Sequence, residues 1–202
     1  MTVLDILLSR ASVSALQEPA PNGRDLDMIL ECGLRAPDHG GLCPWRFVVI
    51  RGAARDVFAD NVVSKLKLHD AAAPQAFIAR QRAKLTKTPL IIALGVRLNL
   101  KTTIPEIEQT LSVGAAAMNM LNAIYASGYG GIWVTGPVSY DPHTLGVLGF
   151  ESTDKLVGFL LVGTAKEEVP VPRRPDIYKC VMEWKENGDV CPYELGLPRR
   201  KD

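Results

Sequence analysis

The chain has 202 residues, 47% of them hydrophobic, and 23 Lys and Arg against 22 Asp and Glu leave a formal net charge of +1. That size and composition suit one globular domain, residues 1–202, with an ample core. The near-neutral balance offers no electrostatic footprint for nucleic acid or an anionic membrane. Cys32, Cys43, Cys180 and Cys191 form no C-x-x-C pair, so neither a zinc site nor any other metal is expected, and free thiols point to a reducing, cytoplasmic setting.

Leu4, Leu7 and Leu8 recur at helical spacing with Asp5 among them, which predicts a short amphipathic helix ending between Ser9 and Ser12 rather than a signal peptide. Asn22 is placed to cap a second helix over 24 to about 34, with Leu26, Ile29, Leu30 and Leu34 on one face. A loop follows that carries Arg35, Pro37, His39, Gly40, Gly41, Pro44, Trp45 and Arg46 and runs into a strand over 47–50. The prolines fix φ and the glycine pair admits a close-approaching ligand, so the loop has the make-up of a site, although a plain helix-to-strand connection has the same composition.

Residues 53–87 read as helical, interrupted at Pro74, with an irregular stretch over 66–70. The apolar run 89–96 suits a strand buried on both faces, and 156–163 suits another. Between them, 105–127 predicts a helix with Glu106 and Glu108 in its first turn, where negative charge is favourable. Its 113–125 portion is apolar or small all round, as in a helix buried mid-protein, while Asn119 and Asn122 argue against a membrane span. The glycines at 128, 130 and 131 end that helix before a short strand over 132–137. Helices and strands mix without strict βαβ alternation, which favours an α+β fold.

No G-x-G-x-x-G, P-loop, H-E-x-x-H or G-x-S-x-G motif is present, so an autonomous nicotinamide domain and triad hydrolysis lack support. His69 and His143 read as surface histidines, and Glu106 with Glu108 as first-turn acids, the rival being a paired-carboxylate hydrolase. What remains is a pattern suited to a flat, phosphorylated cofactor. Arg10 and Ser12 are residue types that a phosphate selects, and the small residues around Trp133, Val134 and Thr135 offer backbone amides beside an aromatic.

The order of Arg10-x-Ser12, Ala36-Pro37-Asp38-His39 with Pro44-Trp45-Arg46-Phe47, Ser112 to Ala116 with Gly128 to Trp133, and Val157 to Leu160 with Gly163-Thr164 resembles the FMN-dependent nitroreductase superfamily, closest to its YdjA-type branch. The resemblance spans about 1–165 and leaves 176–202 as a C-terminal extension. It implies a nitroreductase-like α+β fold with a mostly antiparallel sheet flanked by helices, in an intertwined homodimer with FMN at the interface. It also implies an oxidoreductase that moves reducing equivalents from NAD(P)H to nitro compounds, quinones or a similar small acceptor by a ping-pong mechanism. Matched to the family, Arg10, Ala11 and Ser12 wrap the FMN phosphate and ribityl chain. Arg35 and His39 reach the flavin, across the interface, and Trp133, Val134 and Thr135 lie beside its ring.

Ala123, Ile124, Tyr125, Ala126, Ser127 and Gly128 match a segment associated with NAD(P)H, and Arg173 matches a C-terminal phosphate ligand that the nearest branch tends to lack. No catalytic side chain is implied, because the flavin carries the chemistry. The alternative is a flavin-binding protein of the same fold with another flavin chemistry or negligible turnover.

Overall fold

The computed structural model describes residues 1–69 and 75–194 and divides the chain into two compact units, the first Met1–Val169 and the second beginning at Pro170. The first unit runs α1 (Val3–Ser9), β1 (Leu16–Gln17), α2 (Gly23–Gly33), β2 (Trp45–Arg51), α3 (Ala54–His69), α4 (Gln75–Lys87), β3 (Leu90–Val96), α5 (Glu106–Ala126), β4 (Gly130–Val134), α6 (Pro137–Tyr140), α7 (Pro142–Val147) and β5 (Lys155–Ala165). All pairings are antiparallel: β2 with β3, β3 with β5, and β5 with both β4 and β1. The second unit holds a short 3-10 turn at Ile177–Lys179 and a hairpin of β6 (Met182–Trp184) and β7 (Val190–Pro192). Among the described residues no helix is long and apolar enough to cross a membrane.

Period-two alternation builds both cores. On one face of the sheet Leu90, Ile92, Leu94 and Val96 of β3 and Leu160 and Val162 of β5 pack with α2 and α5 through Ile29, Val113, Ala117 and Met120. On the other, Ile91, Ala93, Phe159 and Leu161 pack with α3 and α4 through Phe58, Val62 and Ile78. With a layer on each side, every residue of β3 is buried, as its unbroken apolar run requires.

Four expectations change. Asn22 occupies the N-cap of α2, but its side chain makes no cap bond; its carbonyl accepts from the Asp25 and Leu26 N–H groups instead. The backbone is helical through His69, because 54–69 contains no Gly or Pro to stop it; Asp70 and Pro74 lie outside the described residues. β4 starts at Gly130, two residues early, since both glycines sit in the ladder opposite Gly163 and Val162. A Cβ at Gly130 would come within 3.0 Å of Leu16 Cδ2 and one at Gly131 within 3.3 Å of Ile124 Cγ2, so close packing selects them. Finally, α5 is not covered all round by its own chain: Ile107, Leu111 and Met118 are exposed.

Candidate functional site

The open edge of β4 organises the site. β4 pairs with β5 on one side, and on the other the Val13 N–H donates to the Gly131 carbonyl at 3.1 Å. In a strand, backbone polar groups alternate sides with period two. Gly131 therefore faces outward, as do Trp133 and Thr135, whose N–H and C=O groups extend along an edge that no described strand covers. Past Thr135, Gly136 adopts φ +144°, and a Cβ there would meet nothing within 4 Å, so the edge ends in open space.

Trp133 contributes its backbone rather than its ring. Its indole packs on the α5 face of the sheet, with Cη2 3.7 Å from where a Gly114 Cβ would stand, and its Nε1–H donates to the Val157 carbonyl at 3.0 Å. That carbonyl is presented by a β-bulge: between the Ala93–Phe159 and Gly95–Leu156 pairs, Val157 and Gly158 together oppose Leu94.

At the other end of β4 runs the segment leaving α1. Arg10 is the C-cap residue of that helix, its N–H bonded to the Ile6 carbonyl, and its Nε and Nη1 atoms are buried. Ala11 and Val13 point inward, which leaves Ser12 and Ser14 exposed. Ser9 Oγ lies 3.1 Å from Tyr125 Oη, which ties this segment to the last turn of α5. That turn closes on Gly128 at φ +83°, with the Gly128 and Tyr129 N–H groups donating to the Tyr125 and Ile124 carbonyls. Of the six residues matched to nicotinamide, Ile124 is a core side chain, whereas Ala126 and Gly128 are exposed.

Sequence reading missed the cationic wall. A groove of about 540 Å³ lies between 14–16 and α4, floored by Ile132 and Leu161 and lined by Arg80, Lys84, Lys87 and Lys166. Among the described residues, none of these four cations pairs with a carboxylate. Lys84 also borders a small adjoining cavity formed by Thr135, Gly136 and Leu161, so it reaches the end of the β4 edge. Burial pushes the Lys84 ammonium below its ordinary range, and the nearby Arg80 charge adds to this. In a charged helix on its own these residues look like a solvated face, because the strand they approach is about 50 residues away in sequence.

Arg35 and His39 sit elsewhere. Arg35 follows α2, exposed, its N–H on the Cys32 carbonyl, and His39 Nδ1 bonds to Glu108 in the first turn of α5. Gly40, at φ +72°, lets this loop close on the segment that enters α5, since a Cβ there would stand 2.6 Å from Ile104 Cδ1. Glu106 is engaged by Lys155 Nζ at 2.6 Å, so the two acids have separate side-chain partners. Seventeen residues of α5 separate the His39 contact at Glu108 from the Ser9 contact at Tyr125, roughly 26 Å at about 1.5 Å per residue. One chain thus brings 10–12, 125–128 and the β4 edge together, with Lys84 at the end of that edge, and holds His39 apart from them; Arg35 lies nearer, its N–H sharing the Cys32 carbonyl with Asn119, six residues from Tyr125. Arg173 is exposed and belongs to the second unit.

A hydrogen-bonding strand edge, an Arg-x-Ser segment and a cation-lined groove are carried together on an antiparallel sheet between helical layers, in one α+β unit. The chain belongs to the nitroreductase family, whose model matches residues 7–164. It is similar to the Escherichia coli (strain K12) protein named "Putative NAD(P)H nitroreductase YdjA", 38% identical over 164 residues that cover 81% of this chain and 88% of that protein. The fold is also that of a Desulfovibrio desulfuricans nitroreductase solved in complex with FMN, at TM-score 0.69 and 22% identity over 87% of this chain and 92% of that one. It is shared as well by an FMN- and NADPH-dependent nitroreductase, NfnB, from a Sphigopyxis strain, at TM-score 0.72 and 20% identity over 92% of this chain and all of that one.

Proposed function

We propose that the protein is an FMN-dependent oxidoreductase that transfers reducing equivalents from NAD(P)H to a small acceptor such as a nitro compound or a quinone. The observation that carries this reading is the juxtaposition of the open β4 edge with a groove of about 540 Å³ whose charged lining is all cationic. Its donors suit FMN. Arg10 and Ser12 offer a charged fork and a hydroxyl to the phosphate, the Trp133 and Thr135 N–H groups offer bonds to a ring edge, and Gly136 leaves space beside it. Bound FMN supplies a two-electron store that takes hydride from NAD(P)H and yields it to the acceptor.

Lys84 holds positive charge at the end of the β4 edge, where it favours the reduced, more electron-rich form of the cofactor. Ala126, Ser127 and Gly128 border the entrance used by NAD(P)H. Reductant and acceptor use that space in turn, which makes the kinetics ping-pong. Arg35 and His39 complete the site of a second copy, so the working unit is a homodimer.

The test uses the purified full-length protein. It is expected to carry one noncovalent FMN per chain, released by heat and identified by chromatography, and to be bleached by NADPH or NADH without oxygen. Recovery of FAD, or no flavin after reconstitution with excess FMN, overturns the reading. FMN that is held but never reduced leaves a flavin-binding protein of another chemistry.

Two variants separate binding from chemistry. Arg10→Ala is expected to weaken FMN retention by roughly one to two decades, the worth of a charge-assisted hydrogen bond of about 1.5–3 kcal/mol. Lys84→Gln is expected to keep the cofactor but slow its anaerobic reduction. FMN titration of the apoprotein and stopped-flow reduction at saturating FMN read the two effects, and a reversed pattern would exchange the assigned roles.

A further inference from the structure

The sheet carries a second cationic cleft, remote within the chain from the β4 edge. It lies between 42–46, where the chain enters β2, and 97–101, where it leaves β3, and encloses about 470 Å³. β3 and β5 stand between β2 and β4, a separation of roughly 14 Å at about 4.8 Å per strand. The cleft's walls are joined by the Arg97 N–H bonding to the Pro44 carbonyl at 2.7 Å. Into it face Arg46, Arg97, Asn99 and Lys101.

The charged residues of its lining are all cations. Arg46 Nη1 is oriented by the Trp45 and Cys43 carbonyls at 2.7 and 3.3 Å, and none of Arg46, Arg97 and Lys101 pairs with a carboxylate among the described residues. The bordering acids are committed to backbone. Asp38 accepts from the Cys43 N–H at 2.7 Å, and Asp154 from the Leu98 and Glu151 N–H groups at 3.3 and 3.0 Å. Asn99 uses its Oδ1 on the Lys101 N–H, which fixes the turn and leaves its amide N–H groups to donate. Two guanidinium groups, one of them with its Nη1 on backbone carbonyls, an ammonium and an amide therefore border a space of small-molecule size, a donor set that suits phosphate oxygens.

We propose that this cleft is a binding site for a phosphate ester, held by Arg46, Arg97 and Lys101. The inference does not rest on the FMN assignment. The ligand's phosphate has two possible sources, the 2′-phosphate of NADPH or a separate phosphorylated metabolite, and the experiment distinguishes them.

The full-length protein, with whatever flavin it carries measured in parallel, is titrated with inorganic pyrophosphate by calorimetry at low salt. Saturable binding is expected in the wild type, weakened at least about tenfold in the exposed double variant Arg97→Gln/Lys101→Gln. It should be retained in Arg24→Gln/Arg51→Gln, which removes two positive charges elsewhere, and flavin content should not change. If the first variant also raises KM for NADPH but not for NADH, the phosphate is the reductant's; if neither KM moves, it belongs to a separate ligand. No saturable binding, equal weakening by both double variants, or pyrophosphate binding that expels flavin would overturn the proposal. Because pyrophosphate binding is read directly, a protein without flavin still tests the cleft.

Discussion

Gly158→Ala is expected to lower stability by roughly 2 to 6 kcal/mol and to strip the cofactor from the protein. Gly158 is the second bulge residue of β5 and has φ +128°, a conformation that L side chains rarely adopt. An added Cβ would stand 2.5 Å from the Val134 carbonyl oxygen, 2.6 Å from Trp133 Nε1 and 3.1 Å from Thr135 Cγ2. Backbone strain and overpacking each cost about 1–3 kcal/mol, and here they act together because the nearest atom is backbone. Relief requires β4 to move away from β5 at Val134, the very edge whose outward N–H groups face the proposed flavin. Thermal unfolding should fall by at least roughly 5 °C for a chain of this length. A Gly158→Ala protein that melts normally and keeps its flavin would mean that the bulge does not hold the edge in place.

That bulge also marks where the sequence stops being legible. Alternation and apolar runs located β3 and β5, because a strand buried on both faces must be continuously apolar. Arg10, Ser12 and the β4 residues stand out in the sequence because their chemistry is local: a cation and a hydroxyl two residues apart, and small residues before an aromatic. Two features were hidden for the opposite reason. The extra residue at Val157 and Gly158 exists only relative to Leu94 in another strand, so no pattern within 155–165 announces it. Lys84 looks like any helix-surface lysine until folding sets α4 beside Thr135. His39 carried both readings in the sequence, and the structure gives it a definite local partner, Glu108, exposed enough that the pair itself is worth at most about 1 kcal/mol.

Leu111→Glu is expected to produce a colourless monomer, the outcome that the proposed homodimer requires when the exposed stripe of α5 is its interface. Leu111 is 63% exposed, flanked on its helix by Ile107 and Met118, and α1 adds Val3, Leu4, Leu7 and Leu8, with no residue of that helix buried. An amphipathic helix with no fully buried residue, lying against the central helix whose own apolar stripe is exposed, is the kind of surface that a partner covers. Each such side chain contributes about 1.5–3 kcal/mol when fully buried, so a few of them suffice to hold two copies together. The same association would bring His39, whose Glu108 contact is roughly 26 Å along α5 from Tyr125 in its own chain, to the β4 edge of the other, with Arg35 ahead of it on the same loop. Wild-type unfolding should accordingly depend on protein concentration, with flavin released as the dimer dissociates. Sedimentation at falling concentration, followed at the flavin absorbance, reads both at once. A yellow monomer of either the wild type or Leu111→Glu would place the whole cofactor site within one chain and remove the role assigned to Arg35 and His39.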